Sequence, residues 1–299
     1  MKHHLFCLLT ILICLPLAAA DGPWLTDIEA AKAAASEADK DLLLFFTGSD
    51  WCPPCQHLKK NILSKDAFIS AATKHFVLVE LDFPRHRQLP AEHRQRNDAA
   101  REHFEINAYP TLLLADAQGL PYARAGFSQE GAEVYTARLI EQRALRAQRD
   151  DALQMAAELE GAEQGRALAA VLNVLKGRNL SLRPYASQVK AVIASDPGGD
   201  AEYAKPFRDE VVMWDMQEAL NSAVRSFHAS GEMPDFADLI ERFGHVTQAH
   251  QQILAAQAGV AMHGGDRPRA IELLKQSHAL DPDSETGQQL GRILQQLGN

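Results

Sequence analysis

Residues 42–58 read LLLFFTGSDWCPPCQHL, and the rest of the chain is best understood from this stretch outward. The apolar run Leu42–Thr47 has the length of a β-strand and ends in a Gly-Ser-Asp turn. Two cysteines, Cys52 and Cys55, then open a helical pattern, and Pro53 suits its first turn because no backbone donor is needed there. The sequence therefore predicts a strand that delivers Cys52 to the N-terminus of a helix.

This placement of Cys52 predicts a particular reactivity. At a helix N-terminus the unpaired backbone N–H groups and the positive end of the helix dipole favour a thiolate over a thiol. A thiolate is the nucleophilic form of cysteine, and Cys55, one turn further along, can close a disulfide with Cys52. The residue types and their spacing therefore predict a redox-active dithiol.

Metal binding is the main alternative for a CxxC pair, because such a pair can be half of a zinc site. Zinc normally takes four ligands, so a second Cys or His pair at metal-binding spacing would be needed. The other two cysteines, Cys7 and Cys14, lie in an N-terminal segment that we expect to be removed, and only His57 lies close to the pair. We favour the redox interpretation and keep a copper- or zinc-handling protein as the alternative.

Two motifs resemble those of one family. Residues 51–55 (WCPPC), in their strand–turn–helix context, resemble the WCxxC motif of the thioredoxin superfamily. Residues 106–114 (INAYPTLLL) resemble its second motif, in which a cis-proline faces the dithiol. The resemblance covers about residues 24–147 and is stronger to a secreted bacterial branch than to cytosolic thioredoxin. It implies an α/β thioredoxin-like fold, with a mixed central sheet and helices on both faces.

The resemblance also implies an activity, that of a protein thiol–disulfide oxidoreductase, more as a reductase than as an oxidase. Cys52 would be the nucleophile and Cys55 the resolving cysteine, and their disulfide would be the redox centre without a separate cofactor or metal. The residues expected to hold the substrate are Trp51, Pro53, Pro54, Tyr109 and Pro110, the last as a cis-proline. The implied partners are protein thiols and disulfides, and a membrane reductant of the DsbD type.

One position departs from the family pattern. Cytosolic thioredoxins carry a buried aspartate six residues before the first cysteine, whereas this chain has Phe46 there. Deprotonation of Cys55 with the help of a carboxylate would therefore need a substitute. The candidates are Asp50, Glu80 and Asp82.

Length and charge exclude some classes of partner. The chain has 299 residues, which suits two domains, and a formal net charge of −9. This acidic balance argues against nucleic acid and anionic membrane surfaces as partners. Residues 84–101 differ from this acidic balance because they contain five arginines, Arg85, Arg87, Arg94, Arg96 and Arg101. We interpret this segment as a solvated loop plus helix, with a lid that selects partners at the dithiol as the alternative.

Residues 1–20 have the pattern of a signal peptide. Lys2 is followed by the apolar run Leu5–Leu17, and Ala18–Ala20 supply small residues before the expected cleavage. The apolar run is too short for a comfortable transmembrane helix. The sequence therefore predicts export to the periplasm of a Gram-negative bacterium or to the outside, with no membrane span after cleavage.

The rest of the chain predicts two domains. We expect a thioredoxin-like domain at residues 21–149, closed by one long helix from Glu130 to about Arg149, and an all-helical domain at residues 150–299. Within the latter, Gly265–Pro282 resembles the second helix of a tetratricopeptide repeat, although an irregular bundle fits as well. The helical domain is expected to recruit partners as a protein-binding scaffold or to be purely structural.

Overall fold

The computed structural model describes residues 22–297, so the predicted signal peptide lies outside the described residues. The chain divides into two compact units. The first unit comprises the chain up to Arg149 together with Leu175–Pro184, and the second comprises Asp150–Val174 and Tyr185–Asn299. Leu175–Pro184, which we call the return segment, therefore differs from the expectation of a single boundary after Arg149.

The first unit is built on a five-stranded mixed sheet in the order β1-β3-β2-β4-β5. The strands are β1 (Trp24–Leu25), β2 (Asp41–Thr47), β3 (Phe76–Asp82), β4 (Thr111–Ala115) and β5 (Pro121–Gly126). Strand β3 is parallel to β1 and β2, whereas β4 is antiparallel to both β2 and β5. Every residue of β2 is buried, as expected for a central strand covered on both faces.

Helices complete the first unit and confirm the predicted α/β thioredoxin-like fold. They are α1 (Ile28–Ala38), α2 (Pro53–Leu58), α3 (Asp66–Ala72), α4 (Ala91–His103) and α5 (Ala132–Glu141). Helix α2 continues directly into a π-helical segment, Lys59–Leu63. The carboxylate of Asp27 caps α1 by accepting the N–H of Ala30 at 3.0 Å, which satisfies one of the donors left unpaired at a helix start.

The predicted single helix from Glu130 to Arg149 is wrong, because two helices occupy this range. Helix α5 ends at Glu141, and α6 spans Ala144–Ala157. The two residues between them form a turn, in which the N–H of Arg143 donates to a carbonyl three residues back. Helical periodicity continues through the turn, so the sequence pattern alone did not reveal the break.

A buried carboxylate explains what this turn does. Asp41, at the start of β2, has no exposed surface and accepts a hydrogen bond from the Tyr122 hydroxyl at 2.7 Å. The Nε of Arg143 lies 2.8 Å from the same carboxylate, and Arg146 also pairs with it. Because an isolated buried charge is very costly, Asp41 needs these partners, and the turn places Arg143 among them.

The return segment belongs to the first unit through buried side chains and polar contacts. Leu180 and Leu182 expose only 4% and 1% of their surface. The Nε of Arg183 forms an ion pair with Glu105 at 3.1 Å. A separate helical domain beginning at residue 150 would not supply such contacts to the first unit, so the first unit is completed by chain from beyond α6.

The second unit is helical, which confirms the predicted all-helical region. Its helices after α6 are α7 (Gly161–Gly177), α8 (Ala186–Ala194), α9 (Lys205–Ser230), α10 (Phe236–Phe243), α11 (Thr247–His263), α12 (Arg267–Leu280) and α13 (Glu285–Leu297). The stretch that resembles a tetratricopeptide helix is α12. It shares a core with α11 and α13 through residues such as Leu254, Leu273 and Leu290. Its tetratricopeptide-like character stays a prediction.

Within residues 22–297, none of the helices combines the length and the apolar character that crossing a bilayer requires.

Candidate active site

The strand–turn–helix element places Cys52 at the first turn of α2. The N–H of Cys52 donates to the Gly48 carbonyl at 3.0 Å, and Cys52 is the N-cap residue of α2, followed by Pro53. The Sγ of Cys52 accepts the backbone N–H of Cys55 at 3.3 Å. When the disulfide is open, this hydrogen bond and the helix dipole stabilise a thiolate at Cys52.

The two cysteines form a disulfide with their Cα atoms 5.3 Å apart. Cys52 exposes 4% of its surface and Cys55 none, so both cysteines are buried in the disulfide form. The next residues of α2, Pro53 and Pro54, are both exposed. Of the two cysteines, Cys52 is therefore the one with any accessible surface, while Cys55 is completely buried.

The second motif meets the first through aromatic contact. The Tyr109–Pro110 peptide bond is cis and lies directly before β4. The rings of Trp51 and Tyr109 meet edge to face, with centroids 5.7 Å apart. Trp51, Tyr109 and Pro110 are half-buried, so each still offers surface to a bound chain. The fold therefore brings together residues that lie more than fifty positions apart in the sequence.

The loop after β3 is tied to the dithiol motif by Asp50. Its carboxylate accepts backbone N–H groups from Arg85 at 2.9 Å, His86 at 2.8 Å and Arg87 at 3.2 Å. Burial acts to raise the pKa of Asp50, but these three hydrogen bonds outweigh it and lower the pKa below its ordinary value. Asp50 therefore acts as an anchor for this loop, a role that the sequence analysis did not assign.

Trp51 is held from two sides by the same loop. Its Nε1 donates to the Phe83 carbonyl at 2.7 Å. The guanidinium of Arg85 lies over the indole ring, 3.7 Å from its centroid, in a cation–π contact. Arg85 is thus a neighbour of the active site that sequence reasoning missed as an individual residue. The cluster of arginines in residues 84–101 was the available signal.

Asp82 anchors the turn before the cysteines. The N–H and the hydroxyl of Ser49 donate to its carboxylate at 2.8 and 2.6 Å, and Arg87 forms an ion pair with it. Asp82 is buried at the end of β3, so these donors satisfy a carboxylate that would otherwise be unfavourable there. The turn and the strand end are therefore held together as one rigid support for the dithiol.

The position of the missing aspartate is occupied by Phe46, which is completely buried. Of the three candidate substitutes, Asp50 and Asp82 are committed to the hydrogen bonds above. Glu80 instead forms an ion pair with Lys59, which lies one helical turn after Cys55. Glu80 is therefore the candidate carboxylate not engaged with the loop.

Phe127 is a second neighbour that the sequence analysis missed. It follows β5 directly and exposes 47% of its surface, and its ring lies 5.5 Å from the ring of His57 on α2. Strand β5 pairs with β4 where Gly126 lies opposite Thr111, the residue after the cis-proline. A large exposed apolar ring beside the motif offers contact area to a bound chain.

Within the described part of the chain, no group of three or more His, Cys, Asp or Glu side chains is arranged to hold a metal ion.

A disulfide whose first sulfur caps a helix and whose second sulfur is shielded beneath it can open and close by exchange with another thiol. The enzyme is accordingly a thiol–disulfide oxidoreductase. A profile of the thioredoxin-like family matches residues 23–117. Disulfide bond reductase DsbH from Chlamydia pneumoniae is 36% identical over 124 residues, which cover 42% of this chain and 74% of DsbH. The chain belongs to the thioredoxin-like family.

Two further matches were found, one among known proteins and one among solved structures. Thioredoxin-related protein DsbJ from Chlamydia pneumoniae is 34% identical over 103 residues, 34% of this chain and 30% of DsbJ. A solved structure of DsbH oxidoreductase is 34% identical and covers 43% of this chain and 88% of that chain, with a TM-score of 0.39. Each of these matches spans less than half of the present chain.

Proposed function

We propose that this protein is an exported reductase of protein disulfides. The observation that carries the proposal is the pairing of Cys52, at the helix N-cap with its sulfur accepting an N–H, with the fully buried Cys55. This asymmetry suits Cys52 as the nucleophile and Cys55 as the resolving cysteine.

The reaction balances as two successive exchanges. The Cys52 thiolate attacks one sulfur of the substrate disulfide, forms a mixed disulfide and releases the first substrate thiolate. Cys55, once deprotonated, attacks the Sγ of Cys52 and releases the second substrate thiolate. Two electrons pass to the substrate, both of its sulfurs become thiols after protonation, and the enzyme is left with the Cys52–Cys55 disulfide.

The substrate backbone lies against the surface formed by Trp51, Pro53, Pro54, Tyr109 and Pro110. Three of these side chains are half-buried and two are exposed, so together they offer a firm apolar support with an accessible face. Holding the chain here would align its disulfide with the sulfur of Cys52, which is what an exchange reaction requires.

The direction of electron flow is supported by the name of one relative, a disulfide bond reductase that shares 36% identity over 124 residues. A reductase needs a source of electrons to reopen its own disulfide. In an exported protein, a membrane reductant of the DsbD type is the proposed source, and protein disulfides are the proposed substrates.

The reduction potential of the Cys52–Cys55 pair tests this direction. Equilibration of the full-length protein with glutathione buffers should give a potential nearer to thioredoxin, about −270 mV, than to the oxidant DsbA, about −120 mV. The reduced protein should also reduce insulin, and the Cys52→Ser variant should not. A potential near that of DsbA would instead make the protein an oxidase.

Export is tested separately. The signal pattern of residues 1–20 supports it, and the expected cleavage lies before Asp21. Expression of the full chain in a Gram-negative host, followed by fractionation and N-terminal sequencing, should recover mature protein that starts at Asp21 in the periplasm. Recovery of the uncleaved chain in the cytoplasm would contradict export.

A further inference from the structure

A cleft of about 420 Å³ lies beside the dithiol motif. Its wall is shared with the proposed substrate surface, because Trp51 and Tyr109 line both. The remaining wall comes from the loop after β3 and from α4. Its charged lining includes Arg85, Arg87, Arg94 and Arg101, and we call it the arginine cleft.

Two of the four arginines are neutralised. Arg87 forms an ion pair with Asp82, and Arg101 lies 3.1 Å from Asp98. Arg85 and Arg94 have no carboxylate partner among residues 22–297, and both are exposed. The cleft therefore presents two guanidinium groups whose charge the described protein does not balance.

Two contacts position Arg85 at the cleft. The guanidinium carbon of Arg85 lies over the Trp51 ring, 3.7 Å from its centroid, and the Arg85 backbone N–H donates to the Asp50 carboxylate at 2.9 Å. Stacking on an aromatic ring leaves the N–H groups at the edge of the guanidinium available for a bidentate bond to a carboxylate. Because the contact with Trp51 already restricts the Arg85 side chain, less conformational entropy is lost when such a bond forms.

Arg94 lies on the same side of α4 as Arg101, two turns further along, and both line the cleft. Arg96, only two residues from Arg94, is absent from the lining and instead pairs with Asp27 at 3.3 Å. Helix α4 therefore carries Arg94 in the cleft lining and Arg96 outside it, in an ion pair with α1's N-cap residue Asp27. This separation supplies a matched control.

We propose that the arginine cleft binds a carboxylate-bearing segment of the substrate polypeptide beside its reactive disulfide, with Arg85 and Arg94 as the specificity-determining contacts. This inference rests on the proposed function. The whole chain has a net charge of −9, so a general attraction for acidic chains is not expected. Because Trp51 directly precedes Cys52, acidic side chains close to the substrate cysteine are the ones that reach the cleft.

Exchange kinetics test the preference in the full-length reduced protein. Two short peptides, each closed by one internal disulfide, carry either glutamates or glutamines on both sides of each cysteine. The glutamate peptide should show a kcat/KM about fivefold higher, and 0.5 M salt should reduce this ratio because the contacting charges are exposed. Equal kcat/KM values for the two peptides would overturn the proposal.

Variants assign the preference to the cleft. Arg85→Gln and Arg94→Gln should each bring the ratio of the two kcat/KM values towards one, whereas Arg96→Gln should leave the ratio unchanged. Arg94→Glu should favour a lysine version of the peptide. If Arg96→Gln lost the preference for the glutamate peptide to the same extent, the preference would depend on net charge alone, which would contradict a specific cleft.

Binding separates this inference from the proposed function. Cysteine-free glutamate and glutamine peptides are titrated into the oxidised protein, with tryptophan fluorescence as the readout. Tighter binding of the glutamate peptide, weakened by Arg94→Gln, supports the cleft even if no peptide is reduced, whereas equal binding overturns it. Oxidised glutathione is titrated in the same way. If Arg94→Gln weakens the binding of oxidised glutathione more than the binding of the glutamate peptide, the cleft is a site for small anionic disulfides, and the proposal is overturned.

Discussion

The backbone N–H of Cys55 is directed at the Sγ of Cys52, 3.3 Å away, so the two cysteines of the motif are linked by a hydrogen bond as well as by their disulfide. The environments of the two sulfurs differ, because Cys52 is the N-cap residue of α2 while Cys55 lies inside its first turn. Once the disulfide opens, this environment favours negative charge on one sulfur only.

This asymmetry predicts which cysteine forms the mixed disulfide. Cys55→Ser should trap a substrate protein on Cys52, because the resolving thiol is missing, and Cys52→Ser should trap nothing. Non-reducing electrophoresis with mass spectrometry identifies the linked residue. Limiting iodoacetamide should label Cys52 first in the reduced wild type. Trapping through Cys55 in the Cys52→Ser variant would reverse the assignment.

The anchor at Asp50 predicts a local and pH-dependent effect. The lowered pKa means that the folded state gains stability from the ionised carboxylate above its ordinary pKa, and this gain is lost as the pH falls through the folded-state value, below about pH 4. At neutral pH, Asp50→Asn should speed hydrogen exchange at the amides of Arg85, His86 and Arg87, because they lose a charged acceptor.

Asp151→Asn is the control for this measurement, since Asp151 is exposed on α6 and has no hydrogen bond to that loop. Its exchange rates in the loop should match those of the wild type. Unchanged exchange in Asp50→Asn would show that the loop does not depend on this carboxylate.

The ion pair between Arg149 and Asp116 predicts a large loss of stability. The two side chains are 2.6 Å apart and expose 2% and 5% of their surfaces. Arg149→Ala leaves a buried carboxylate without its main partner, which typically costs about 3–5 kcal/mol of unfolding free energy. Urea denaturation measures it. Arg138→Ala, at an exposed pair with Glu130, should cost much less, and equal losses would contradict the reasoning.

The return segment predicts that the first unit depends on chain beyond α6. Leu182→Ala should destabilise the protein by about 2–5 kcal/mol, because the side chain is 1% exposed. Leu159→Ala, at a side chain 36% exposed, should cost clearly less. A fragment of residues 21–184 should also melt at a higher temperature than one of residues 21–149. Equal melting temperatures would leave the shorter fragment as the complete folding unit.

The sequence by itself was enough for the features that depend on neighbouring residues. The apolar run before the dithiol predicted a buried strand, and β2 is buried at every position. Pro53 and the cysteine spacing predicted the helix start, and Cys52 is its N-cap. These signals are reliable because an apolar run, a helix cap and a turn each involve residues a few positions apart, so their pattern can be seen in the sequence.

Tertiary structure alone decided the contacts between distant segments. Arg85 forms a cation–π contact with Trp51, and Arg143 forms an ion pair with Asp41 at the start of β2. The return segment belongs to the first unit. None of these contacts has a periodic signature, since each depends on how separate elements pack. Which charged side chains form ion pairs then depends on which groups are buried together, and the order of residues does not reveal this. The arginines of residues 84–101 could be counted in the sequence, but only the fold separates those that line the cleft from Arg96, which pairs elsewhere.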